Sequence, residues 1–260
     1  MTPKILITTF IYLFSTMASA EWTPTNPINP QEILSSATDD RASGEYEIAL
    51  QKHIWFHNNV LKHERSYYGV RLSFALSYWV ELANEYSPAL DALLNELMLA
   101  EQKVREGSDF DTNPFHDFTA INRKLGEFEP VVQLFKYLDS DRPEMAIKNF
   151  NLAKSSLIRS KEYLLYKKYL KPSEDISSIQ KQYFHDLNLS KDKRFGSKMQ
   201  EYADSSYIDS VTTIVAILSV TGDKEEAKKI YTKALEKVDI SGLKEKLDTA
   251  LSGEVPEPWL

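Results

Sequence analysis

The chain contains no cysteine and only eight glycines in 260 residues. Without cysteine it has no disulfide bond, no thiol nucleophile and no thiolate metal site. The glycines form no phosphate-binding loop, and the Gly-x-Ser-x-Gly motif of many hydrolases is absent. Basic residues are fewer than acidic ones: the chain has 31 Lys and Arg and 38 Asp and Glu, which gives a formal net charge of −7. Because nucleic-acid phosphates bind basic surfaces, we expect no nucleic-acid partner.

The first 20 residues have the composition of a secretory signal peptide. Lys4 supplies the positive charge, residues 5–17 are largely apolar, and Ala18-Ser19-Ala20 places small residues at a cleavage position. A membrane helix is the alternative, but the apolar run is shorter than the roughly 20 residues that span a bilayer. We therefore predict cleavage between Ala20 and Glu21, a periplasmic or secreted protein, and no stable membrane insertion after cleavage.

The rest of the chain is typical of an all-α protein. Residues 21–30 hold three prolines and predict an extended leader. From Gln31 onward the apolar residues recur mostly at helical spacing, and 42% hydrophobic residues suffice for a core. We predict an acidic loop over 107–114 and a lysine-rich loop over 189–198. The predicted helices are 30–43, 46–63, 67–85, 88–106, 115–125, 130–138, 143–159, 162–170, 174–188, 199–220, 224–238 and 243–251.

Five short stretches, each between two predicted helices, echo one another. They begin at Gly44, Asn84, Gly126, Lys161 and Gly222, and acidic residues follow the first residue of each stretch or lie close to it. Glycine and asparagine accept the left-handed backbone at which many helices end. Acidic residues stabilise the positive end of the helix that follows. The pattern therefore predicts a recurring turn inside stacked helical hairpins.

The interval between Gly126 and Lys161 is close to the 34-residue period of tetratricopeptide repeats. The segment from Gly222 to Leu235 carries that family's small, large, small positions at Ala227, Tyr231 and Ala234. The chain thus resembles a degenerate tetratricopeptide-repeat protein, and segments 55–57 and 68–77 are similar to uncharacterised exported bacterial proteins of this kind. The resemblance implies a right-handed helical solenoid over residues 31–251, followed by a tail over 252–260. It implies no catalytic activity.

The predicted helix 67–85 is apolar on two sides. One side carries a core stripe, Tyr68, Leu72, Ala75, Trp79 and Leu82, and the opposite side carries Tyr67, Arg71, Phe74, Tyr78 and Glu81. In a solenoid the second stripe would form an aromatic groove wall, with the arginine binding an anionic group of a partner. The alternative is a central helix packed on both sides, with its arginine paired to a carboxylate such as Glu81.

Histidines offer two further candidates. His53 and His57 are four residues apart and share a helix face, but two histidines give too few ligands for a structural metal site. We therefore predict no metal and no cofactor. His116 and Asn122 lie in the predicted helix 115–125 and are expected to face the groove. Asp117 is expected to act there as a cap or dipole partner.

Two functions follow from these patterns. The first is an exported, non-catalytic binding or scaffold module that recognises a peptide or a cell-envelope protein through its concave helical surface. The second is a small-ligand receptor or an enzyme with a polar pocket around Arg71, His57 and His116.

Overall fold

The structure is a computed structural model that describes residues 22–107 and 113–258. These ranges are all-α and contain no strand. The predicted signal peptide and its cleavage position lie outside them, as do the centre of the acidic loop and the last two tail residues. None of the helices in these ranges is long and apolar enough to cross a membrane. The chain divides into two compact units, with the division after Leu93.

The first unit begins with non-helical residues 22–29 and continues as helices whose consecutive members pack together. Its small core contains Ile33, Leu34, Phe56, Val60 and Ala75. A short 3-10 turn at Arg65–Tyr67 precedes the third helix. The α-helices are α1 (Pro30–Ala42), α2 (Tyr46–His63), α3 (Tyr68–Arg71), α4 (Phe74–Glu85) and the start of α5 (Ser87–Glu106).

The predicted continuous helix 67–85 is wrong, because the chain breaks between α3 and α4. The backbone amide of Ser73 donates to the Val70 carbonyl at 3.2 Å. The Ser73 hydroxyl donates to the Gly69 carbonyl at 2.7 Å, where a helical backbone amide would otherwise bond. Such a hydroxyl bond also occurs inside helices and often bends them, and here it lies at the break between α3 and α4. The predicted stripe therefore does not follow one helix face.

Four of the five predicted turns share one geometry. Gly44, Gly126, Lys161 and Gly222 have φ values of 83°, 77°, 58° and 87°. In each, the next backbone amide donates to the carbonyl five residues earlier, at 2.8–2.9 Å. This bond belongs to the Schellman motif and satisfies an otherwise free helix carbonyl. Asn84 is different, since it stays inside α4, so the predicted left-handed turn at this position is wrong.

These turns make a prediction about stability. Gly126→Ala should lower the free energy of unfolding by about 1–2 kcal/mol, because a side chain strains a left-handed backbone. No atom lies within 4 Å of the Cβ this change would add, so conformation alone sets the cost. Lys161→Gly should raise stability by about 0.5–1 kcal/mol, since the relief of strain exceeds the added backbone entropy.

Urea denaturation followed by far-UV circular dichroism measures both changes. The two turns are matched in geometry, so the variants should shift the midpoint in opposite directions. Shifts of the same sign would show that the left-handed backbone does not govern stability at these turns.

The second unit contains the rest of α5 and eight further helices. The helix α7 packs extensively on α8, to which a single residue joins it, and α11 packs against α10, α12 and α13. Residues 211–219 of α11 are all buried, as their apolar sequence predicts. The further helices are α6 (Pro114–Leu125), α7 (Glu129–Asp141), α8 (Pro143–Arg159), α9 (Tyr163–Lys168), α10 (Pro172–Leu189), α11 (Gly196–Val220), α12 (Lys224–Glu236) and α13 (Leu243–Leu251).

Candidate functional site

The structure places Arg71 inside the first unit and not on an open groove. Its side chain is buried, with 2% of the residue exposed. The guanidinium Nη1 donates to His57 Nε2 at 3.1 Å and lies 3.4 Å from the His57 carbonyl oxygen. The guanidinium carbon also lies 5.9 Å from the centre of the Tyr68 ring. The expected role of Arg71 as an exposed anion anchor is therefore corrected, because its charge faces the interior of the unit.

The other members of the predicted stripe separate. Phe74 is exposed, with 63% of its surface open. Tyr67 and Tyr78 are partly buried and pack against the first unit's core. Glu81 accepts a hydrogen bond from Arg41 at 2.9 Å, so it pairs with α1 and not with Arg71. Whether these residues bind a partner stays a prediction.

The two neighbouring histidines of α2 pack around Trp79. The rings of His53 and Trp79 stack with centroids 6.0 Å apart, and the His57 ring meets Trp79 edge-on at 5.9 Å. Both nitrogens of His53 are buried and have no hydrogen-bond partner among the residues that the structure describes. Burial, aided by the nearby Arg41 charge, lowers the pKa of His53 to about 4. No group of three or more His, Cys, Asp or Glu positioned for a metal occurs in residues 22–107 and 113–258.

His116 and Asn122 lie on α6 of the second unit. Asn122 is buried and its amide donates to the Phe118 carbonyl at 2.9 Å, so it serves its own helix. His116 is half-buried. The cap of α6 is Asn113, whose side-chain oxygen accepts from the Phe115 and His116 amides, and Asp117 lies in the first turn, where an acidic residue is a dipole partner.

The second unit contains a cavity that the sequence did not predict. Its volume is about 520 Å³, within the range of small-molecule sites. Four helices and the C-terminal tail line it. The lining residues of α8 are spaced three or four apart, so they lie on one face of that helix, and the lining residues of α10 have the same spacing. The polar lining residues are Asn151, Lys154, Ser155, Tyr166, Asp175, Ser178, Asp209, Ser210 and Thr213.

Several of these polar groups make no hydrogen bond within the part of the chain that the structure describes. Thr213 shows this clearly beside its neighbour. The Thr212 hydroxyl donates to the Ile208 carbonyl at 2.7 Å, the usual bond of a helical threonine. The hydroxyl of Thr213 makes no such bond, although the residue is only 6% exposed and lines the cavity. Tyr166 is also buried, and its hydroxyl makes no hydrogen bond with the described residues.

Charged groups at the cavity are partly desolvated. Burial raises the pKa of Asp209, and no positive charge offsets this effect. Burial lowers the pKa of Lys154, and the carboxylate of Asp175 acts in the opposite direction. Burial also raises the pKa of Tyr166, with Asp175 and Asp209 adding to it. The charges of Lys154, Asp175 and Asp209 therefore lie close together at the cavity.

The C-terminal tail forms one edge of this cavity. Pro258 lines it, and the Arg159 guanidinium donates to the Pro258 carbonyl at 3.1 Å. Arg159 also lies 3.4 Å from the Glu257 carboxylate and stacks over Phe128 at 4.7 Å. The tail up to Pro258 thus packs on the second unit instead of standing apart from it.

One sequence signal could have indicated this cavity. Asp209 and Ser210 immediately precede the ten mostly apolar residues 211–220, which include Thr213. A carboxylate next to such a buried run is uncommon, because an unpaired buried charge is costly. The partners on α8 and α10 carry no comparable signal, since isolated Ser and Lys occur on any helix surface.

Comparison of the chain with protein-family models, with curated proteins and with solved structures finds no match to any of them, so the arrangement of its own residues carries the interpretation.

Proposed function

We propose that this protein is an exported, non-catalytic binding module of tetratricopeptide-like helical hairpins, and that its second unit binds a small polar ligand in the cavity between α8, α9, α10 and α11. The observation that carries the proposal is a set of polar side chains that line the cavity and make no hydrogen bond with the described residues, above all Thr213 and Tyr166. A bound ligand can therefore use the hydroxyls of these two residues as donors and acceptors. No nucleophile activated by a neighbouring base lines the cavity, which favours binding over catalysis.

Recognition of a peptide or a cell-envelope protein stays a second proposal. It is supported by exposed apolar side chains on α5 of the second unit, namely Leu94, Met98 and Leu99. Such side chains are more stable in contact with a protein partner than in bulk water. The cavity is the stronger candidate, because its polar groups converge on one volume.

Blocking the cavity tests the proposal. Ser178 and Ser177 are adjacent, exposed residues of α10, but only Ser178 lines the cavity. A tryptophan at position 178 fills part of the volume, whereas Ser177→Trp adds the same side chain outside it. We expect ligands detected by saturation-transfer NMR in a panel of small polar compounds to lose at least about tenfold in affinity with Ser178→Trp, about 1.4 kcal/mol.

The matched variant is expected to bind like the natural protein. Equal affinities for Ser178→Trp and Ser177→Trp would place the binding elsewhere and contradict the proposed cavity. A panel with no binder at all would also contradict it.

A further inference from the structure

We infer that the ligand of this cavity is a small organic ammonium ion, such as an amino alcohol or an amino sugar, whose positive group binds the Asp209 carboxylate. The inference rests on the proposed function and adds the chemical class of the ligand. It depends on which of the cavity's groups already have a partner and which do not.

The balance of charge at the cavity is the first support. Two carboxylates, Asp175 and Asp209, face a single ammonium group, Lys154. Lys154 interacts with Asp175 and lies 5.0 Å from the centre of the Phe150 ring, so its charge is partly accommodated. The cavity lining therefore carries one more acidic than basic side chain. A ligand with one positive charge neutralises this excess, whereas an anion adds to it.

The position of the unbalanced charge is the second support. The Asp209 carboxylate accepts no hydrogen bond and makes no ion pair with the residues the structure describes, and only burial acts on its ionisation. A partly buried carboxylate of this kind gains most from a cation that arrives with hydrogen-bond donors. An ammonium group supplies both, because it carries three N–H donors on one positive centre.

The hydroxyls around Asp209 are the third support. Ser210 follows it in sequence, Thr213 lies one helical turn later, and both line the cavity. The Tyr166 hydroxyl is influenced by Asp209 and has no hydrogen bond of its own. These groups offer both donors and acceptors. They suit hydroxyl groups on the ligand, while its carbon skeleton can contact the apolar part of the lining, which is Ile158, Leu170, Ile179, Ile214 and Pro258.

Matched ligands separate this inference from the proposed function. Glucosamine, glucose and glucuronate have similar size and differ in charge, as do 1-aminopropan-2-ol, propane-1,2-diol and lactate. Saturation-transfer NMR and isothermal titration calorimetry on the full chain measure each. We expect the ammonium compound of a triplet to bind at least about tenfold more tightly than its neutral counterpart, since a hydrogen bond to a charged group contributes about 1.5–3 kcal/mol.

The variants identify the carboxylate. Asp209→Asn should remove the preference for the ammonium compound, whereas Asp239→Asn, an exposed acidic residue outside the cavity, should keep it. If a neutral or anionic compound binds best and Ser178→Trp weakens it, the ammonium class is wrong and the cavity remains a binding site. If no compound of either triplet binds, the ammonium class is wrong as stated. Unchanged preference in Asp209→Asn would also overturn the inference.

Discussion

Trp79→Ala is expected to lower the free energy of unfolding of the first unit by about 3–5 kcal/mol, the usual cost of truncating a fully buried aromatic residue. The Trp79 side chain is 1% exposed and fills the space between α2 and α4. Its indole Nε1 also donates to the Ala89 carbonyl at 3.0 Å. Truncation therefore creates a cavity and removes this hydrogen bond, and both effects destabilise the folded state.

The same helix provides a matched control. Phe74 is 63% exposed, so Phe74→Ala should change stability by no more than about 0.5 kcal/mol. Trp79→Phe should fall between the two, because it keeps most of the ring volume and loses the hydrogen bond. Urea denaturation by circular dichroism, with hydrogen exchange of the α2 and α4 amides, measures the three variants. Similar stabilities of Trp79→Ala and Phe74→Ala would contradict the observed packing.

Acid is expected to destabilise the first unit through His53. The pKa of this buried ring is about 4 in the folded protein and about 6.5 in an unfolded chain. The folded state therefore favours the neutral ring, and the unfolded state takes up the proton first as the pH falls. Stability is unaffected by this group above about pH 6.5 and decreases progressively toward pH 4. The integrated loss is about 3 kcal/mol, at 1.36 kcal/mol for each pKa unit.

His53→Leu removes this titration and keeps an apolar side chain against Trp79. Stability is measured by urea denaturation at pH 7, 6, 5 and 4 for the natural protein and the variant. Carboxylates titrate in both, so the difference between the two curves is the readout. We expect the natural protein to lose about 3 kcal/mol more than the variant between pH 7 and pH 4. Parallel curves would show that His53 does not titrate in this way.

The helical architecture was predictable because its signals are local. Prolines at the start of α1, α6 and α8 fit a helix position where the missing amide costs nothing. Glycines at 44, 126 and 222 mark helix ends, and the turn at Lys161 was also predicted, although its left-handed backbone was not. Apolar spacing predicted the first and last residues of α2 and α13 correctly, since each helix needs one buried face.

The errors arose where local signals compete. Ser73 was expected inside a helix, but its backbone amide bonds to the Val70 carbonyl and the chain breaks there between α3 and α4. Asn84 tolerates a left-handed backbone without requiring one, and α4 continues through it. Sequence periodicity places a residue on a helix face without saying what covers that face. Sequence periodicity therefore could not predict that Arg71 is buried against His57.

An all-α chain, most of its helix limits and three left-handed turns follow from the sequence, because backbone conformation and amphipathic spacing are encoded within a few neighbouring residues. Which polar groups meet depends on how distant helices pack in the folded chain. Lys154, Asp175 and Asp209 are far apart along the chain and lie on three different helices, α8, α10 and α11. They line one cavity because the fold brings those helices together, and burial there lowers the pKa of Lys154 and raises the pKa of Asp209.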